Sequence, residues 1–433
     1  DNLFLAADSR NRADWLLGVN SSYAICKAVG FGNNSLGRVQ TPVLAEICRR
    51  YRERENHMPA DSWPVFISLC KNDRILKMRH VDDLVARREA LALYEDCKAA
   101  KNARITAVGK RTEEIGTPAL YNLAELQKDV NRYHGLTAIQ VQEIAQSLYE
   151  KGLISYPRTS SRLLPKDVYD TLPPVMEKML SRKEFRQYAD TVDLAAPRDS
   201  IEAQDTMEHH AIIITGIQPS KLGREEMLVY TLIVGRMLET FMPPCKVEYT
   251  TVDTVCAARK FRIRTYRILE KGWLGIFERE HIVAKGRMPY QAMPEFFQEE
   301  ILPVAGCSLI HKKSLPVSPY TDEELVDYMD KAGLGTVSTR TNILRTLLER
   351  KYIRYSGKYV VPTPKGLLLY ETVRGMKVAD ASLTSGWETE LARIERGELS
   401  QEEFLDGVLE TVNEVTGEIF RNHPMEKRPQ GTI

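Results

Sequence analysis

The hydrophobic period changes repeatedly along this chain, and that alternation constrains the fold more than any other feature. Residues 1–58 show a helical period, with Gly18 and Asn20 predicted to interrupt the first helix. Residues 63–115 alternate like strands around a charged helical insert, residues 116–190 return to a helical period, and residues 224–305 are mostly strand-like. With 433 residues, such a chain is predicted to form several domains of the α+β class.

Charge and cysteine content exclude several classes of protein. Lys and Arg total 60 and Asp and Glu total 59, so the charge of the whole chain does not indicate nucleic-acid binding, and any basic surface must be local. The seven cysteines are scattered without a CxxC pair, which argues against a zinc ribbon or a disulfide scaffold and favours a reducing cytoplasm. No apolar run is long enough to span a membrane.

The last third of the chain has the pattern of a winged helix-turn-helix. Thr321 and Glu324 form a capping-box signature before one helix, a second helix follows, and a hairpin is predicted to turn at Ser356 and Gly357. The segment 338–365 carries seven basic residues and a single acid, Glu349. This segment is either a phosphate-binding surface or a solvated helix face.

A tyrosine stands among cations at the end of a predicted helix that Thr137 caps and Gly152 ends. The segment LISYPRTSSRLLP places Arg158 and Arg162 close to Tyr156. Because a phenol is a poor nucleophile at neutral pH, a catalytic tyrosine needs such cations to stabilise its phenolate and the phosphate that it attacks. The alternative is that Tyr156 is a structural side chain.

A pair of histidines precedes an apolar run in EHHAIIIT at 208–215. His209 and His210 could bind a metal, transfer a proton, donate to a phosphate, or form a structural pair. Adjacent residues on a strand point to opposite faces, so chelation of one metal ion by both is disfavoured.

Taken together, these motifs resemble a known enzyme family. The segments RADWLLGVN (12–20), SLGRVQTP (35–42), PALYNLAELQKDVNRYHGLTAIQVQEIAQSLYEKGLISYPRTSSR (118–162), HHAIIIT (209–215) and YTDEELVDYMDKAGLGTVSTR (320–340) occur in the family's order. The chain resembles a type IA DNA topoisomerase of the topoisomerase III branch across nearly its whole length.

The resemblance implies a set of site residues. Tyr156 would be the nucleophile that forms a 5′-phosphotyrosine, Arg158 the transition-state cation, and His209 a phosphate-contacting histidine. The residues that would contact single-stranded DNA are Arg38, Gln40, Thr41, Arg162, Thr336, Ser338 and Arg340.

The resemblance also implies a toroidal multidomain α+β body. Residues 1–62 with 305–433 would form a winged-helix-like groove domain, residues 63–115 with 216–304 a β-rich arch, and residues 116–215 a helical tyrosine domain.

The family begins with a Toprim domain that holds magnesium and a catalytic glutamate, and this chain starts where that domain would end. We therefore expect no metal site in this chain, no relaxation by the chain alone, and a magnesium-dependent but ATP-independent complete enzyme. A monomer acting on single-stranded DNA in the bacterial cytoplasm is expected, at the nucleoid or on a plasmid or mobile element.

Several residues depart from the family pattern. Ser160 replaces the usual Asp, Ile214 the usual Pro, and Tyr23 the usual Arg. These departures keep an alternative open, a non-catalytic clamp for single-stranded DNA derived from a topoisomerase. A winged-helix regulator is disfavoured, because a regulator does not need the tyrosine segment, the arch and the groove domain.

Overall fold

The computed structural model describes residues 2–29, 34–183, 185–193, 201–202, 209–279, 282–284, 293–337 and 339–423. The helices within these ranges are α1 (Asn2–Val29), α2 (Gln40–Glu55), α3 (Arg87–Ala99), α4 (Leu123–His134), α5 (Ala138–Glu150), α6 (Lys166–Asp170), α7 (Leu172–Leu180), α8 (Arg224–Thr240), α9 (Asp322–Lys331), α10 (Arg340–Glu349), α11 (Pro364–Val373), α12 (Ala381–Glu395) and α13 (Gln401–Asn422).

The strands are β1 (Asp61–Ser62), β2 (Val65–Lys71), β3 (Arg74–His80), β4 (Asn102–Ile115), β5 (Leu164–Pro165), β6 (Ile201–Glu202), β7 (Cys245–Cys256), β8 (Arg259–Glu270), β9 (Ile301–Leu309), β10 (Lys312–Lys313), β11 (Tyr320–Thr321), β12 (Ile353–Ser356) and β13 (Tyr359–Pro362).

The first helix is continuous, so the predicted interruption at Gly18 and Asn20 is wrong. Asn20 remains helical, and its Nδ2 donates to the carbonyl of Leu16 at 2.8 Å. The helix packs along α12 and α13 and buries Ala13 and Leu17. A glycine inside a helix costs about 1 kcal/mol, and tertiary packing of this face outweighs that cost.

One hydrophobic core combines residues from both ends of the chain, from Ala6 to Cys48 and from Tyr320 to Ile419. Within it, α9 and α10 precede the hairpin β12–β13, and β11 pairs with β13. Thr321 caps α9 in a capping box with Glu324. The predicted winged helix-turn-helix and its capping box are confirmed. The hairpin turns at Gly357 and Lys358, one residue later than predicted, because Ser356 pairs with Tyr359.

A closed barrel forms in the strand order β2-β3-β8-β7-β4-β9. Strands β2 to β4 come from residues 65–115 and strands β7 to β9 from residues 245–309, so two distant segments build one sheet. Because these strands alternate buried and half-buried positions, as β2 and β7 show, their apolar faces fill the barrel interior. Helix α3 packs on β2 and β9.

The strand prediction for residues 224–305 is wrong over α8. The buried run in this segment, from Val229 to Thr240, is apolar enough to fit either a strand or a buried helix, and periodicity alone does not separate the two. Helix α8 shares a hydrophobic core with residues 120–214. Helix α8 thus packs with residues of the expected tyrosine domain, and we call α8 and that domain together the tyrosine unit. The resemblance implied instead that α8 belongs to the second part of the arch.

Candidate active site

The loop that carries Tyr156 is held by the segment that follows the two histidines. Helix α5 begins at the capping box of Thr137 and Gln140, as predicted, and Gly152 adopts φ +69° after its end. Ile154 then forms a bridge with Ile214, and the N–H of Ser155 donates to the carbonyl of Ile213 at 2.8 Å. Tyr156 therefore extends from a fixed backbone.

Two of the predicted catalytic side chains meet directly. The ring centroids of Tyr156 and His209 lie 4.5 Å apart with an interplanar angle of 44°, and Tyr149 packs edge-on against Tyr156 at 5.4 Å. Buried Thr159 donates its hydroxyl to the carbonyl of His209 at 3.0 Å. The tyrosine segment and the histidine segment are thus held in register. His210 contacts the Ala211 carbonyl through Nδ1 at 2.7 Å.

Arg158 lies at a cavity of about 320 Å³ between α5 and α10. Among the described residues, its Nε is buried and has no hydrogen-bond partner. Glu143, Glu150 and Arg345 line the same cavity, and Arg345 Nη2 pairs with Glu143 Oε1 at 2.6 Å. A buried guanidinium nitrogen without a partner is costly in isolation. Such a group is suited to an oxyanion that enters with a substrate.

Arg162 is used differently from Arg158. Its Nε donates to the carbonyl of Leu120 at 3.2 Å and its Nη2 to the carbonyl of Ala119 at 3.4 Å. These bonds fix the segment that leads into α4. The structure therefore gives Arg162 a structural role beside the DNA contact that the resemblance implies.

A second cavity, of about 570 Å³, brings together residues from both predicted groove motifs. Arg38 and Gln40 of the first motif line it with Thr336 of the second. Gln40 Oε1 accepts a hydrogen bond from Arg350 Nη1 at 2.7 Å. Segments nearly 300 residues apart in the sequence therefore form one groove, which we call the α1–α10 groove.

Arg38 is buried and paired with two acids. It donates to Asp14 and, from Nη1, to Glu388 at 2.9 Å. Although burial opposes ionisation of Glu388, hydrogen bonds from Arg10 and Arg38 hold its pKa below the ordinary value. The charge of Arg38 is thus balanced within the protein.

The other predicted DNA-binding residues lie in varied surroundings. Thr41 is buried and its hydroxyl accepts from the N–H of Gly37 at 2.9 Å, so it shapes the start of α2. Arg340 is also buried and pairs with Asp330 at 2.7 Å, while its Nε and Nη1 have no partner among the described residues. Ser338 lies outside the described residues.

Sequence reasoning missed two residues of the groove. Arg350 lies in the basic segment, and it lines the groove, where its Nη1 donates to Gln40. Trp15 belongs to the RADWLLGVN motif and lines the groove with an exposed ring. Its exposure depends on how α1 packs, which no local pattern gives.

Among the described residues, no group of three or more His, Cys, Asp and Glu side chains could hold a metal ion. None of the helices in this part of the chain is both long and apolar enough to cross a membrane.

A family model described as DNA topoisomerase matches residues 1–406. The chain belongs to the DNA topoisomerase family. The relatives support the type IA class. They include DNA topoisomerase 1 of Methanocaldococcus jannaschii, 28% identical over 407 residues and covering 93% of this chain and 52% of the relative.

DNA topoisomerase 3 of Bacillus cereus is 28% identical over 464 residues, covering 97% of this chain and 61% of the relative. The chain thus spans about half to three fifths of the length of these curated relatives. Relatives of both names occur at similar identity, so the matches establish the type IA class and not the branch.

The fold matches a solved structure of full-length topoisomerase I from Thermotoga maritima with a TM-score of 0.76. The two chains are 20% identical, and the match covers 96% of this chain and 68% of the other. The predicted fold class, a toroidal multidomain α+β body of a type IA topoisomerase, is confirmed.

Proposed function

We propose that the complete protein cleaves one DNA strand transiently through Tyr156, passes another strand through the gap, and reseals the break. The observation that carries the proposal is the contact of Tyr156 with His209, in a loop whose Arg158 has a buried Nε without a hydrogen-bond partner among the described residues. A tyrosine beside a histidine and a cation has the parts needed for phosphoryl transfer.

In the forward step, the Tyr156 oxygen attacks the phosphorus, and the bond from phosphorus to the 3′ oxygen breaks. The phosphate remains joined to Tyr156 and to the 5′ oxygen of the fragment on the 3′ side of the cleavage site, while the 3′ oxygen of the other fragment takes up a proton in place of the one lost by the phenol. Arg158 would stabilise the charge that develops on the phosphate oxygens, and His209 would donate to one of them. Resealing is the reverse reaction.

Single-stranded DNA is the proposed substrate, with its backbone in the α1–α10 groove and near Arg340. We also propose that the reaction relaxes or decatenates DNA without ATP and that the protein belongs to the topoisomerase III branch. It would work as a monomer in the bacterial cytoplasm. The exposed side chains of Lys351, Arg354 and Lys358 on the winged helix support it, because phosphate contacts supply much of the affinity for DNA.

Magnesium would be held by acidic residues of an upstream Toprim domain. The described residues do not fit this ion, since no cluster of acids among them could ligate it. We therefore derive no step through a metal ion within this chain, and we expect the chain alone to bind DNA without relaxing supercoiled plasmid.

The proposal is tested by covalent capture of a strand labelled on the 3′ side of the cleavage site, using the full product of the gene. Denaturation after incubation should leave label on the wild-type protein. Tyr156→Phe should leave none, while binding to the same strand stays within about threefold, or ~0.7 kcal/mol.

Label that persists on Tyr156→Phe would show that another residue is the nucleophile. The alternative is the non-catalytic clamp for single-stranded DNA. It is kept open by two departures from the family pattern, Ser160, which is exposed on the tyrosine loop, and Ile214, which is buried. Tight binding of single strands with no label on the wild-type protein, with magnesium present, would support the clamp.

A further inference from the structure

Large apolar side chains form an exposed row on α1. Trp15, Val19 and Tyr23 follow one another at intervals of four residues, and their exposed fractions are 64%, 49% and 63%. Residues spaced in this way lie on one face of a helix. The opposite face is buried in the core through residues such as Ala13 and Leu17.

The row begins inside the α1–α10 groove. Trp15 and Val19 line the cavity together with Gln40 and Thr336, and Tyr23 continues the row one turn beyond Val19. Contiguous apolar surface of this kind indicates a binding site when it is bordered by polar groups.

The charges around the row suit a polyanion. The two acids of the groove, Asp14 and Glu388, are both paired with arginines, Asp14 with Arg38 and Glu388 with Arg38 and Arg10. At the far end, Lys27 Nζ lies 5.5 Å from the centroid of the Tyr23 ring. A phosphate backbone can therefore follow the row without meeting an unbalanced carboxylate of this pair.

We propose that Trp15 and Tyr23 are a stacking track for the bases of single-stranded DNA in the α1–α10 groove. The inference rests on the proposed function and adds how the groove grips its substrate. Eight residues of helix separate the two rings by about 12 Å along the axis, which leaves room for bases on both. Aromatic rings bind any base face, so the track is independent of sequence.

Stacking gives the track a selectivity that phosphate contacts alone do not supply. Affinity that depends on stacking requires unpaired bases, so the track discriminates single strands from duplex as well as from phosphate alone.

Tryptophan fluorescence tests the track in the 433-residue chain. The other tryptophans are Trp63, which stacks on His311, and Trp273 and Trp387, which are buried. Single-stranded DNA should quench the emission of the wild-type chain, and Trp15→Phe should abolish that quenching while binding stays within about threefold. Quenching that persists in Trp15→Phe would overturn the proposal.

A comparison of variants and oligonucleotides separates stacking from phosphate contact. An abasic strand of equal length should bind the wild-type chain about fivefold or more weakly than the base-containing strand. Trp15→Ala and Tyr23→Ala should each weaken binding of the base-containing strand by about fivefold or more and leave binding of the abasic strand nearly unchanged. Leu3→Ala, another exposed apolar residue of α1, is the matched control and should change neither.

The outcomes distinguish this inference from the proposed function. Equal losses for both strands in Trp15→Ala would overturn the stacking track while leaving DNA binding intact. DNA binding that leaves Trp15 emission unchanged would mean that another part of the protein or a protein partner covers the row, which also overturns it. Failure of the wild-type chain to bind any single strand would contradict the proposed function itself.

Discussion

Arg38 grips Asp14 with two nitrogen atoms, Nε at 2.7 Å from Oδ1 and Nη2 at 3.4 Å from Oδ2. The same guanidinium reaches Glu388 on α12, and its side chain is only 4% exposed. Three separate segments of the chain are thus joined by one buried cation. Since Arg38, Asp14 and Glu388 all line the α1–α10 groove, their pairing fixes one part of its wall.

We expect Arg38→Ala to lower the free energy of unfolding by about 2–3 kcal/mol, because it removes a buried cation that donates to two partly exposed carboxylates, Asp14 and Glu388. Urea unfolding measures this loss. Arg10→Ala is the matched control, since Arg10 is more exposed and, among the described residues, pairs with one acid, Glu388; it should cost about 1 kcal/mol or less. A large loss of DNA affinity with unchanged stability in Arg38→Ala would instead support a direct DNA contact.

Variants of Arg158 and Arg162 should have different effects, the first on the cleavage rate and the second on the stability of the fold. Arg158→Ala should slow single-turnover cleavage by about a hundredfold or more, since a cation aimed at transition-state charge contributes a few kcal/mol. Arg162→Ala should instead lower the free energy of unfolding by about 1–3 kcal/mol, because two backbone carbonyls lose a charged donor. Cleavage rates and thermal unfolding of both variants check the assignment. The reverse pattern would exchange the two roles.

The start of α8 should confer acid sensitivity through Glu226. Hydrogen bonds from Lys151, Ser147 and the N–H of Gly223 lower the pKa of Glu226 to about 2 from its ordinary 4.5. A lowered pKa contributes stability above the unfolded pKa, and this contribution is lost as pH falls from about 4.5 towards 2.

Glu226→Gln should therefore reduce stability at neutral pH modestly and flatten the decline in acid. Solvent screening keeps the effect small. Chemical unfolding at about pH 6 and about pH 3 measures it, with Glu225→Gln, the neighbouring residue in the first turn of α8, as control. An equally steep decline in wild type and Glu226→Gln would contradict the assignment.

Gly366 should not tolerate a side chain. A Cβ atom at this position would lie 2.0 Å from the backbone oxygen of Tyr352, and a backbone atom cannot move aside as a flexible side chain can. We expect Gly366→Ala to destabilise the chain by about 1–3 kcal/mol. Gly407→Ala is the control, because a Cβ there meets nothing within 4 Å. In the helix α13 it should stabilise by about 0.5–1 kcal/mol; equal effects of both changes would refute the packing argument.

Local chemistry explains which parts of the fold could be predicted from the sequence. Thr137 and Thr321 cap helices with their own neighbours, so short sequence windows predicted them. The contact of Tyr156 with His209 could be expected only from the resemblance, since their segments are joined by backbone pairing of Ile154 with Ile214. No spacing rule gives such a pairing.

The features that the sequence did not predict depend on tertiary packing. Helix α8 reads as a buried apolar run, and its partners in the tyrosine unit decide its conformation. Closure of the barrel requires β4 and β7, from distant segments, to pair along their length. Arg38 looked available for DNA because Asp14 and Glu388 approach it only in the folded chain.

The nested path of the chain determines how this molecule can flex. The chain enters and leaves the tyrosine unit side by side, at the antiparallel pair Ile115 and Cys245, and it enters and leaves the barrel at the pair Asp61 and Lys313. Each unit is therefore covalently connected to the rest of the chain through two adjacent antiparallel segments. On the side of the tyrosine unit away from its junction, noncovalent contacts such as the ion pair of Lys128 with Asp327 hold the unit to the winged helix. A rotation at either junction would leave every peptide bond intact, and its cost would lie in the side chains that cross the divide, including Ala124 and Ala138, which pack in the same core as the winged helix.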